Sequence, residues 1–167
     1  MKRFVVPVSL LVVIAFAVAY AGTAAGSGSK SIAFTAKYSG KVTEVVNGNE
    51  VTGTPNGKGT ASLIGKGSMT GTVKGNQSSS TGCTPLTGTG MLKGPKGTLK
   101  LKLTNSPSPS TACGQEDDHN SIDFYGTAKV TGGTGAMKKA SGNLHFSGHY
   151  DRGTGAFNVK LTGTLKH

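Results

Sequence analysis

The chain has 167 residues, of which 27 are glycine, roughly twice the usual share, while charged residues make up only 15% and aromatics 6%. That balance excludes a coiled coil, argues against a helical bundle because glycine and threonine are poor helix residues, and, with no three-residue glycine period, excludes collagen. A formal net charge of +11 favours anionic surfaces such as wall polymers, acidic polysaccharide or lipid headgroups as partners.

In chain order, Lys2 and Arg3 open a positively charged segment, residues 4–19 form an apolar run, and Ala19-Tyr20-Ala21 supplies a small-x-small cleavage site. This is the pattern of a secretory signal peptide over residues 1–21, with a second cut available as late as residue 25. An uncleaved anchor is the competing reading of the same stretch, disfavoured by Pro7 and the short apolar core. Residues 22–30 read as a flexible N-terminal segment and residues 31–167 as a single domain. Loss of Lys2 and Arg3 takes the net charge to +9, and nothing beyond residue 25 is apolar enough to cross a membrane as a helix. The expected location is secreted, outside the cytoplasm.

From residue 31 onward, short stretches alternate polar and apolar residues, the signature of half-buried strands. Ile32, Phe34, Ala36, Tyr38, Gly40 and Val42 share one parity. Weaker strands are expected over residues 59–64, 68–74 and 87–93. The clearest case has Leu99, Leu101 and Leu103 interleaved with Lys100 and Lys102. Residues 121–130, 144–150 and 156–165 complete a set of eight. Asn47-Gly48 and Asn56-Gly57 read as turns, and residues 151–155 as a hairpin loop. Eight strands joined largely by tight turns, each with one apolar face, predict an antiparallel up-and-down β-barrel, which leaves no open sheet edge. The motif Thr-Gly-Thr at Thr52, Thr70, Thr87 and Thr162 has spacings of 18, 17 and 75, too irregular for a solenoid. An outer-membrane barrel is disfavoured because the second face of most strands is Lys, Asn, Thr or His.

Cys83 and Cys113 each fall in a long polar connection, and in an exported chain they are expected to form a disulfide. Closing the loop between them is worth about 3–4 kcal/mol in the chain-entropy model. No metal or other cofactor is expected, since no His or carboxylate at ligand spacing completes a site with either thiol and no nucleotide-binding motif is intact. Glu116, Asp117, Asp118 and His119 read as a solvated acidic loop. His145 and His149 share one face of a strand but lie roughly 13 Å apart, too far to chelate one ion. Asp151 and Arg152 fit a hairpin tip, with the further prospect of lining a barrel mouth. Dispersed lysines without interleaved exposed aromatics argue against nucleic acid.

Val130, Thr131-Gly132-Gly133-Thr134-Gly135, Ala136 and Met137, followed by Ala140-Ser141-Gly142, resemble a stretch of the allene oxide cyclase and dirigent superfamily, where it links two late strands of an eight-stranded barrel. The resemblance extends over residues 120–166, with Met137 and Lys138 where an aromatic and a small residue are common. It implies the barrel fold and an apolar cavity, and carries over no catalytic residue.

Candidate site residues come from parity. Phe34, Tyr38, Phe124, Phe146, Tyr150 and Phe157 share the apolar face of strands one, six, seven and eight, which a closed barrel makes contiguous. Leu63, Val73, Met91, Leu99, Leu101 and Leu103 are expected to form an aliphatic wall opposite. The interior is either a filled core or a narrow pocket for an apolar ligand, with the Tyr38 and Tyr150 hydroxyls as polar handles. Glu44 shares the inward parity and is the one weak catalytic candidate. The expected role is binding a small apolar ligand or an anionic envelope polymer surface, without chemistry. The alternatives are a cyclase- or isomerase-like enzyme acting on a lipid-derived or phenolic substrate, and a threonine-rich surface-interaction or ice-binding protein.

Overall fold

A computed structural model describes residues 30–76, 82–115, 118 and 120–166; the expected export signal, and the segment after it up to residue 29, lie outside the described residues. The described residues form ten strands: β1 (Ser31–Asn47), β2 (Glu50–Ala61), β3 (Gly65–Asn76), β4 (Cys83–Pro85), β5 (Thr87–Gly94), β6 (Gly97–Thr104), β7 (Thr111–Gly114), β8 (Ser121–Gly135), β9 (Ser141–Asp151) and β10 (Ala156–Lys166). Eight of them close a ring in the order β1, β2, β3, β5, β6, β8, β9, β10, every pair antiparallel, and the β1–β10 ladder from Ser31↔Lys166 to Lys41↔Ala156 shuts it. The chain is all-β, an eight-stranded up-and-down barrel, as its alternation predicts.

Alternation explains the ring locally. Leu99 and Leu101 are buried while Lys100 and Lys102 are exposed, and Phe34, Ala36 and Tyr38 are buried between exposed Thr35 and Lys37. Burying one parity of every strand against a common axis is what removes apolar surface from water in a barrel.

Three local expectations are corrected. The second strand begins at Glu50, not residue 59, and Asn56-Gly57 lies inside it: Gly57 is a close-approach glycine, since a Cβ there would sit 2.8 Å from Phe157 Cζ and 2.7 Å from the Ser39 carbonyl oxygen. Asn47-Gly48 does turn the chain, with Gly48 at φ +59° between the paired Asn47 and Glu50. Met91 points outward, because Gly88, Gly90 and Leu92 take the inward positions of β5. The third correction is the pair β4 and β7, strands of three and four residues inside segments read as loops. β7 pairs with β8 from Tyr125 to Ile122, the stretch of β8 beyond the end of β6, and β4 pairs with β7. Together they form a two-stranded flap that extends the wall at one end.

The two ends of the barrel differ. Towards the β2–β3, β5–β6 and β8–β9 turns the interior is solid: Phe34, Ile64, Leu92, Leu99, Leu144 and Leu165 are all below 2% exposed. Met137 and Ala140, from the turn after the Thr131-to-Gly135 stretch, are buried over this end as a plug. The other end is open.

Candidate functional site

The open half holds an apolar cavity of about 560 Å³. It exists because of what the inward positions carry. Gly53 on β2, Gly71 on β3 and Gly90 on β5 line it, and Gly71 and Gly90 are direct ladder partners. Where the inward parity supplies only hydrogen atoms, the opposite wall cannot reach across. That opposite wall is aromatic: Phe124 from β8, Phe146 and Tyr150 from β9, Phe157 from β10. Phe124 and Phe146 pack with ring centroids 6.3 Å apart, tilted by 41°. Val42, Val73, Leu101 and Leu103 complete the sides, and Leu86 and Ala112 reach in from beside β4 and from β7.

Of the six aromatic candidates, Phe124, Phe146, Tyr150 and Phe157 therefore line the cavity. Phe34 belongs to the solid end. Tyr38 is 2% exposed and does not line the cavity, although its ladder partner Val159 does. The Tyr38 hydroxyl is buried with no hydrogen-bond partner among the described residues, and burial raises its pKa. The filled-or-hollow choice thus resolves by position along the axis.

The rim of the cavity is polar. Glu44 lies inward at the mouth, its side chain 23% exposed, with Arg152 Nε 3.9 Å from its Oε2. Tyr150 sits beside them. Burial first, then the charge of Glu44 and a hydrogen bond to it, raise the pKa of the phenol, while the Arg152 cation works the other way. The β9–β10 turn that presents Arg152 is held by two backbone bonds, Arg152 N–H to the Asn120 carbonyl and Val42 N–H to the Gly155 carbonyl, both 2.8 Å. Asp151 serves the turn itself: its Oδ1 accepts from the Thr154 N–H at 3.0 Å, and that bond lowers the Asp151 pKa. The sequence held no reason to join Glu44 to Arg152. They are 108 positions apart and meet only because β1 closes on β10.

The disulfide joins Cys83 and Cys113, which are directly opposed in the β4–β7 ladder with Cα atoms 4.0 Å apart. It ties the two strands of the flap to each other, while the β7–β8 ladder holds them to the barrel, and it is a bond typical of oxidising, extracytoplasmic surroundings. His145 and His149 stand on the outer face, Nδ1 of the first 3.3 Å from Thr127 Oγ1, that of the second 3.1 Å from Asp123 Oδ1. Asp123 also accepts a hydrogen bond from Gln115, the largest cause of its lowered pKa. Of the acidic loop, Asp118 accepts from the Asn120 N–H at 3.0 Å; Glu116, Asp117 and His119 lie outside the described residues. Among the described residues no three His, Cys, Asp or Glu side chains come together.

Comparison with family models, curated proteins and solved structures finds no match to this chain.

Proposed function

We propose that the protein is an exported binding protein that takes one small, largely apolar molecule into the open half of its barrel and orients it by a polar end at the rim. The observation that carries this is the cavity itself: about 560 Å³ falls within the roughly 300–1,000 Å³ of small-molecule sites, and its walls are mostly apolar, with Glu44, Tyr150 and Arg152 together at the rim. An occupant would set its apolar body against Phe124, Phe146 and Phe157 and its polar end near Glu44, Tyr150 and Arg152. The likeness of residues 120–166 to the allene oxide cyclase and dirigent group supports the same reading, and membership of that group is proposed with it.

The test is titration with a neutral fluorescent probe, N-phenyl-1-naphthylamine, joined to mass spectrometry of small molecules that co-purify. Wild type is expected to bind one probe per chain. Val73→Phe, which fills the glycine side of the cavity, is expected to lower affinity by at least tenfold while the strand signal in circular dichroism is unchanged. Equal binding by the filled variant would refute the assignment. A second reading, an isomerase acting on such a ligand, is favoured by the inward carboxylate of Glu44 beside the Tyr150 hydroxyl.

A further inference from the structure

The charges of this molecule are sorted along the barrel axis. All five described carboxylate side chains are at the mouth: Glu44 and Glu50 on the β1–β2 hairpin, Asp118 before β8, Asp123 at the start of β8, and Asp151 at the end of β9. The solid end carries none. It carries seven exposed lysines instead: Lys30 and Lys166 where β1 and β10 meet, Lys66 and Lys93 within a few residues of their turns, Lys96 between β5 and β6, and Lys138 and Lys139 between β8 and β9.

These lysines belong to one continuous cap. The Lys96 N–H donates to the Ile64 carbonyl at 3.3 Å, and the Ala136 N–H donates to the Lys96 carbonyl at 2.8 Å, so three turns are tied together. Ser31 pairs with Lys166, and Lys166 with Ser141, which joins the chain ends to the turn that bears Lys138 and Lys139. Like charges gathered on one cap with no carboxylate side chain among its described residues repel each other, a cost that a negative surface removes.

We propose that this lysine cap docks the barrel on an anionic lipid bilayer, with the cavity mouth pointing away into solvent. Two features select a plane over a single polymer strand. The lysines come from separate turns distributed around the end of a barrel, a ring that a flat surface meets all at once and a linear chain meets only in part. They are lysines without arginine, point charges suited to a diffuse negative field more than to bidentate recognition of one phosphate. Of the exposed large apolar residues, Val45, Val46 and Tyr125 lie towards the mouth and Met91 stands on the barrel wall beside Lys93, so adhesion is electrostatic, without insertion. At the mouth the five carboxylates are set against Lys41, Lys74 and Arg152, of which Lys74 pairs with Glu50 and Arg152 with Glu44, so that end has no positive surplus to offer the surface, which fixes the orientation. The cavity then exchanges its occupant with the aqueous side, not with the bilayer beneath.

The experiment is co-sedimentation of the chain beginning at Gly22, which keeps every strand, the core and the disulfide, with vesicles of 30% phosphatidylglycerol in phosphatidylcholine. Each lysine is expected to contribute about fivefold in affinity, so Lys96→Gln, Lys138→Gln and Lys139→Gln together should weaken binding about a hundredfold. The same number of changes on the barrel wall, Lys41→Gln, Lys58→Gln and Lys160→Gln, should cost far less, and salt should release the wild type. Equal losses for the two triple variants would overturn the proposal, as would undiminished binding to pure phosphatidylcholine. Tighter binding to soluble polyphosphate than to the vesicles would also overturn it, in favour of a polymer.

Discussion

Tyr38 and Tyr150 are both inward tyrosines, yet the fold treats their hydroxyls differently. Tyr150 has Glu44 as partner at the rim; Tyr38 has none and is buried. Both phenols are held above their ordinary pKa, chiefly by burial, so the neutral form is the one the fold stabilises. The sign follows: in the unfolded chain a tyrosine ionises near pH 10, and above that pH the unfolded state holds fewer protons than the folded one. The contribution is therefore complete below about pH 10 and is lost as pH rises through the raised folded values. Urea midpoints measured upward from about pH 9 should fall, and fall less steeply in Tyr38→Phe, whose slope lacks one phenol. At neutral pH the same variant should be neutral or slightly more stable than wild type, because a buried donor without a partner is removed. A loss of more than about 1 kcal/mol would mean the hydroxyl has a hydrogen bond after all.

At the scale of elements, the flap is the part with the least of its own to hold it. β4 and β7 have seven residues between them, and Thr84 Oγ1 adds a hydrogen bond to the Asn76 carbonyl at 2.8 Å. The disulfide clamps β4 to β7, and the β7–β8 ladder holds the pair to the barrel. Cys83→Ser with Cys113→Ser should lower stability by about 3–4 kcal/mol and raise amide exchange first at residues 83–85 and 111–114, with the eight barrel strands still formed. Uniform exchange across the barrel in the double variant would show that the flap is integral to the ring. The flap also marks the limit of reading strands from alternation. Leu99, Leu101 and Leu103 announce β6 because five alternating residues are enough to show a period of two, whereas three or four residues in β4 and β7 are not. β2 was hidden differently. Pro55 and Asn56-Gly57 carry turn chemistry, but the β2–β3 ladder merely breaks at Thr54 and Pro55, where proline has no N–H to offer, and resumes at Asn56↔Thr70. The irregular Thr-Gly-Thr spacing has a plain cause as well: three copies lie side by side on neighbouring β2, β3 and β5, so 18 and 17 are the repeat lengths of successive hairpins, with no solenoid period behind them.

For the whole molecule, a barrel with one solid and one hollow half should respond unevenly to the same chemical change. The aromatic wall was legible from parity, since four of its six members do line the cavity. The cavity facing it stood as one of two readings, filled or hollow, because only closure of the ring brings Gly53, Gly71 and Gly90 together on its lining. Leu99 and Leu103 sit four residues apart on the same face of β6, yet Leu99 is fully buried in the solid end and Leu103 is half-buried at the cavity wall. Removing Leu99 leaves a void among packed neighbours, so Leu99→Ala should cost about 2–5 kcal/mol. Leu103 already borders open space and forfeits fewer contacts, so Leu103→Ala should cost less than half as much while enlarging the cavity. A ligand present at a hundredfold over its Kd should add about 2.7 kcal/mol to wild type and to Leu99→Ala alike, since Leu99 does not line the hollow half. Equal costs for the two leucines in chemical denaturation would mean that the open half packs as tightly as the closed one, and the division of the interior, with the binding role that rests on it, would fail.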